Sequence, residues 1–158
     1  MKILGVDPGF ERLGIAVLEK NTGYKKEKVI FSECFKTSAK LEFPERLNLI
    51  GKEIIRVIKK YKPEVLAIET LFLNTNHKTV MQVAEARGVI IYECTKGGLK
   101  IFEASPPQIK VATTGYGKSD KKQITKMVKM LVQIDKEKNS DDELDAIAIA
   151  LTCSACLK

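Results

Sequence analysis

Residues that bind soft metals are scarce in this chain. It has one histidine, His77, and four cysteines, Cys34, Cys94, Cys153 and Cys156. The last two form a C-x-x-C, but no second cysteine pair or histidine cluster accompanies it. A structural zinc site needs four ligands at recognisable spacing, so these cysteines read as reduced and mostly buried thiols. Long apolar runs are missing too: no window reaches the 18 consecutive apolar residues of a membrane span. The opening Met1-Lys2-Ile3-Leu4-Gly5-Val6-Asp7 places an acid too early for a secretory signal. No Pro/Gly/Ser-rich linker, internal repeat or low-complexity stretch divides the chain. These absences lead to the expectation of a cytoplasmic protein without membrane association, with residues 1–158 forming one domain.

What the chain has in excess is positive charge, unevenly spread. The formal net charge is +7, and between Lys96 and Lys138 ten lysines stand against four acids. That stretch alone carries a net +6, so the remainder is close to neutral. A localised basic surface is the electrostatic footprint of a polyanionic partner, whereas solvated helix faces of a lysine-rich protein would be the plain alternative.

Hydrophobic periodicity sets the order of elements. Lys2–Val6 reads as a buried strand ending in the turn signal Asp7-Pro8-Gly9, and Gly14–Leu18 and Val29–Phe35 complete an antiparallel meander. Leu47, Ile50, Ile54, Val57, Ile58 and Tyr61 fall at helical spacing, and Pro63 stops that helix. Val65–Ile68 is a short buried strand ending at Glu69. Val80–Tyr92 reads as a helix on which Ala84 and Gly88 leave a flat face, and Leu99–Phe102 is a fifth strand. Ser105-Pro106-Pro107 opens a short helix, and a lysine-rich helix follows from about Ser119. Ser140 and Glu143 form a capping box for a last helix over Leu144–Leu151, apolar nearly all round and therefore buried. The expected fold is α/β, a five-stranded mixed sheet flanked by helices.

Against this pattern, certain acids stand where structure alone would not put them. Asp7 and Glu69 each terminate a buried strand, where an unpaired carboxylate costs several kcal/mol and where α/β sheets bind ligands. Asp142 and Asp145, three apart, share one face at the start of the last helix. The helix macrodipole accounts for Asp141, Asp142 and Glu143, but less well for Asp145, a turn further in. Hard oxygen ligands without His or Cys suit Mg²⁺ or Mn²⁺. An acidic site beside a basic surface is the charge pattern of a nuclease, in which two ions about 4 Å apart assist an in-line displacement at phosphorus.

At the level of motifs the chain resembles the RuvC family of Holliday-junction resolvases, within the ribonuclease-H-like superfamily. The resemblance rests on Ile3–Gly9, on Ala67-Ile68-Glu69-Thr70-Leu71-Phe72 followed by Asn76, and on Ala86-Arg87-Gly88-Val89. It continues through Ser105–Lys110, Gly117–Ile124 and Asp142-x-x-Asp145-Ala146-Ile147-Ala148-Ile149-Ala150, in order over essentially the whole chain. It implies a ribonuclease-H-like sheet and a homodimer that makes paired symmetrical nicks in four-way DNA junctions during recombination and repair, beside a branch-migration motor complex. It further implies Asp7, Glu69, Asp142 and Asp145 as catalytic metal ligands, with two Mg²⁺ ions per site and Mn²⁺ as a substitute. Phe72 would lie near the unpaired junction centre, Lys110 and Lys121 would meet backbone phosphates, and Lys118 and Lys122 would add to the DNA contacts. The chain departs from the family at Leu13-Gly14-Ile15-Ala16, where Thr-Gly-aromatic-Gly is usual. Departures also fall at Leu73-Asn74-Thr75, which lacks a lysine, and at Glu143-Leu144, which replaces small residues.

Three other readings remain. Actin-like ATPases share Asp-x-Gly at a strand end but need two such domains and a longer chain. A small ribonuclease-H-like nuclease acting on RNA differs from a resolvase only in substrate. A nucleic-acid-binding protein without catalysis would keep the basic surface and lose Mg²⁺-dependent cleavage.

Overall fold

The computed structural model describes residues 1–21, 26–71 and 77–157, with the side chains of residues 77 and 78 left aside. Phe72 and Asn76 lie outside the described residues. The elements run β1 (Lys2–Asp7), β2 (Arg12–Glu19), β3 (Glu27–Lys36), α1 (Phe43–Tyr61), β4 (Val65–Glu69), α2 (His77–Lys96), β5 (Lys100–Ala104), α3 (Pro106–Thr114), α4 (Lys121–Leu131), β6 (Val132–Ile134) and α5 (Asp141–Cys156). The strands form one mixed sheet in the order β5-β4-β1-β2-β3-β6. β1, β2 and β3 are the antiparallel meander, β4 and β5 add in parallel beside β1, and β6 adds in parallel beside β3.

The α/β expectation holds, and β6 is an addition to the five strands read from the pattern. Val132-Gln133-Ile134 is too short to show a period and follows α4 directly, so no local signal sets it apart. Its state is decided by distant pairing instead, Glu27 with Val132 through Val29 with Ile134.

Side-chain alternation divides the core between the two faces of the sheet. Leu4, Val6, Ile15, Leu66 and Ile68 point to one face, where Ile50, Ile54 and Ile90 of α1 and α2 cover them. Ile3, Ala16, Leu18 and Ala67 point to the other, beneath Ile147, Ala150 and Cys153 of α5. α5 lies close against the strands because the residues under it are small. A Cβ on Gly5 would stand 2.2 Å from the Ala146 carbonyl oxygen, and one on Gly14 would stand 2.2 Å from that of Asp142.

The far end of α5 is pinned as well. Lys20 Nζ donates to the Ser154 carbonyl at 2.8 Å and to that of Leu157, and Ser154 Oγ donates to Glu27 at 2.6 Å. The flat face at Ala84 and Gly88 turns outward, and nothing lies within 4 Å of where a Gly88 Cβ would be.

Candidate active site

Period two also explains why the acids meet. Asp7 lies two residues beyond Gly5, and Glu69 two beyond Ala67, so both carboxylates share the α5 face at the C-terminal ends of adjacent parallel strands. The parallel register pairs Val6 with Ile68, which leaves Asp7 and Glu69 side by side. Asp142 and Asp145 come down on them from the first turns of α5, whose N-cap Ser140 and Glu143 form the expected capping box. Gly14, opposite Asp7 in the β1–β2 register, is the floor on which this end of α5 rests.

The crowding perturbs the acids. Burial raises the Asp7 carboxyl to about 7, and the charges of Asp145, Glu69 and Asp142 push it the same way against Lys121. Glu69 is raised by burial and then by Asp145. Asp145 is raised by burial although Lys121 opposes the shift, its Nζ lying 3.1 Å from Asp145 and 3.6 Å from Asp141. Asp142 is the exception. Hydrogen bonding from Arg12 holds its carboxyl below the usual range.

Two depressions flank the acids. A cleft of ≈ 370 Å³ runs from Asp7 and Glu69 toward Val80 and Val83 of α2. A second, of ≈ 280 Å³, runs from the same two acids past Lys110, Lys121 and Asp145 toward Ile109 and Ile149. Thus Lys110 and Lys121 stand at the site, while Lys118 and Lys122 are exposed nearby. Lys126 and Lys129 continue the exposed basic face along α4.

Other residues support the site in ways that no motif assigns to them. Arg87 Nε donates to the Glu69 carbonyl at 3.0 Å and pairs with Glu103, fixing the end of β4. Arg46 of α1 is buried beneath the loop after Asp7. It donates to Thr37 at 2.8 Å and to the Phe10 carbonyl at 3.3 Å, and its guanidinium lies 4.8 Å from the Phe10 ring centroid. Glu143, read above as a capping acid, is also buried, and it accepts from Ser32 at 2.8 Å and from Lys136 at 2.5 Å. No motif or periodicity marks these contacts, because the partners lie on other elements or in the loops between them.

A donor set made only of carboxylates, crowded enough to raise Asp7, fits a hard divalent cation. Among the described residues no three acidic, thiol or imidazole groups already converge on one ion position, and Asp142 and Asp145 are each engaged by a cation.

A mixed sheet of this order, with helices on both faces and acids at the ends of its central strands, places the chain among the ribonuclease-H-like α/β proteins. A family described as "Crossover junction endodeoxyribonuclease RuvC" matches residues 3–153. The chain is 45% identical over 150 residues to a protein of that name from Thermosipho melanesiensis, covering 95% of this chain and 94% of that one. It is 42% identical over 151 residues to the one from Halothermothrix orenii, covering 96% and 90%. Among solved structures, T. thermophilus RuvC in complex with Holliday junction substrate is 28% identical, with a TM-score of 0.89 over 96% of this chain and 92% of that one. The chain belongs to the RuvC family of crossover junction endodeoxyribonucleases, metal-dependent enzymes that hydrolyse DNA phosphodiester bonds.

Proposed function

We propose that this chain, one nuclease domain over residues 1–158, resolves Holliday junctions in the cytoplasm during recombination and repair. It works as a homodimer in which each protomer nicks one of two strands of like polarity, beside a branch-migration motor complex. The observation that carries the reading is the meeting of Asp7, Glu69, Asp142 and Asp145 from β1, β4 and α5 beside a lysine-bearing helix. The four acids would hold Mg²⁺, two ions per site, with Mn²⁺ able to substitute. Bound there, the metal supplies water activation and neutralises charge at the phosphate undergoing displacement. Lys110 and Lys121 both line the second depression and would meet backbone phosphates there. Lys118 and Lys122 extend that contact along the nucleic acid, and Phe72 belongs near the junction centre.

The dimer reading draws support from α2. Met81 is 66% exposed and Tyr92 62% exposed, and they stand on the outward side that also bears Ala84 and Gly88, so an apolar strip with a flat middle is free to meet a second copy. Gly88→Arg should convert a dimer to monomers by sedimentation.

The deciding experiment is incubation with a synthetic mobile four-way junction and Mg²⁺. Paired symmetrical nicks are expected, absent in Ca²⁺ or EDTA. Asp7→Asn, Glu69→Gln, Asp142→Asn and Asp145→Asn should each abolish cleavage and leave junction binding intact, because removing negative charge does not weaken attraction to phosphate. Cleavage by Asp7→Asn at near wild-type rate would reject the site.

A further inference from the structure

Arg12 stands at the start of β2, on the α5 face by the same alternation that places Gly14 and Ala16 there. Its guanidinium grips one oxygen of Asp142, with Nε at 3.0 Å and Nη2 at 2.5 Å, and Cys34 Sγ donates to that same oxygen at 3.3 Å. Three donors saturate Asp142 Oδ2, so a divalent ion that coordinates this oxygen must displace Arg12 from it. We propose that Arg12 is a latch, a built-in cation that holds Asp142 in the metal-free protein and must surrender it when a divalent ion enters. The inference rests on the reading of the four acids as metal ligands.

Three features of the chain favour a latch over a simple tie between β2 and α5. The pair is accessible, with the Arg12 side chain 51% exposed and that of Asp142 21% exposed, so the guanidinium can swing into solvent without unpacking the core. The grip falls on a carboxylate at the metal site and not on a spare acid of the same helix, although Asp141 is more exposed. The latch also answers a need: four carboxylates from three segments repel one another, and a guanidinium relieves that repulsion until a metal ion takes over. Metal affinity in the free protein is then set by a competition for Asp142 and is lower than the donor set alone would give.

The test is a Mn²⁺ titration of the DNA-free protein, with unbound Mn²⁺ read by electron paramagnetic resonance. Arg12→Gln should bind Mn²⁺ about three- to tenfold tighter than wild type, the range expected when one partly exposed, two-pronged ion pair no longer competes. Lys36→Gln is the control. It removes like charge opposite Arg12 in the β2–β3 register, near Cys34, while the donors to Asp142 are Arg12 and Cys34. Its affinity should change less than twofold.

In wild type, saturating Mg²⁺ should move the Arg12 Nε–H resonance toward that of a solvated guanidinium. Unchanged or weaker Mn²⁺ binding by Arg12→Gln, an equal gain in Lys36→Gln, or an Arg12 resonance indifferent to Mg²⁺ would overturn the latch. Should Asp7→Asn bind Mn²⁺ as wild type does, the ligand reading itself fails and the latch with it. Normal loss in Asp7→Asn without gain in Arg12→Gln rejects the latch alone.

Discussion

Replacing Gly14 by alanine tests the claim that a bare strand positions the two acids on α5. The added Cβ would stand 2.2 Å from the Asp142 carbonyl oxygen and 3.1 Å from the Asp7 Cβ. Ordinary contact begins at 3.4 Å, so this end of α5 must retreat by about 1.2 Å or the β1–β2 register must give. Overpacking of this kind costs about 1–3 kcal/mol, or roughly 2–12 °C of thermal midpoint for a domain of this size. The larger effect should be on rate. A displacement of about 1 Å in catalytic geometry costs on the order of 10²-fold, and here both acids on α5 move together relative to Asp7 and Glu69.

Gly98→Ala separates position from stability. Gly98 has φ of 81° between α2 and β5, at the opposite end of the sheet from the acids. Alanine there should cost about 1–2 kcal/mol through its backbone alone. Thermal melts and single-turnover junction cleavage should show comparable destabilisation in the two variants, with a rate collapse only in Gly14→Ala. If Gly14→Ala cleaves within threefold of wild type, the floor argument is wrong.

Other perturbations address separate parts of the molecule. Arg46→Met should lower unfolding free energy by about 2–4 kcal/mol, read by urea titration, because the Phe10 carbonyl and Thr37 lose a buried charged partner. For Glu143, burial alone would raise the carboxyl, but Lys136, Ser140 and Ser32 outweigh it and bring it from 4.5 to about 2. Since the folded value is depressed, this stability is complete above pH 4.5 and is lost as pH falls toward 2. Glu143→Gln should therefore flatten that acid limb by up to about 3 kcal/mol, and an unchanged limb would place the acid sensitivity elsewhere. Lys122→Ala should reduce the log–log salt slope of junction binding by roughly 0.9, and an unaltered slope would put Lys122 off the DNA. Phe72→Ala should leave the thermal midpoint nearly unchanged yet slow cleavage strongly, whereas a large drop in midpoint would mark Phe72 as core.

Which parts of this architecture could be read in advance follows from the range of the forces involved. Asp7 and Glu69 were legible because an acid closing an apolar strand breaks a local rule, and α5 was legible through its capping box and all-round apolarity. β6 was not, since three residues acquire strand character only by pairing with a segment about a hundred residues earlier. Arg12, Arg46 and the second role of Glu143 were invisible for the same reason. Their partners lie on other elements, and nothing in their neighbours distinguishes them from ordinary surface charges. The departure at Leu13-Gly14 keeps the glycine that matters, and its necessity shows only once the Asp142 carbonyl is seen above it.

The placement of α5 has a consequence for the cell that makes this protein. The meander of β1, β2 and β3 can form as soon as those residues leave the ribosome, since its contacts are local. The acids at positions 142 and 145 cannot join Asp7 until nearly the whole sequence described here has been translated and α5 has settled over Gly5 and Gly14. A chain cut short before that helix lacks two of the four clustered acids and the helix that covers Ile3, Ala16, Leu18 and Ala67. Such a fragment has neither a complete acidic cluster nor a covered sheet face, so incomplete synthesis yields an unstable chain instead of a half-built nuclease.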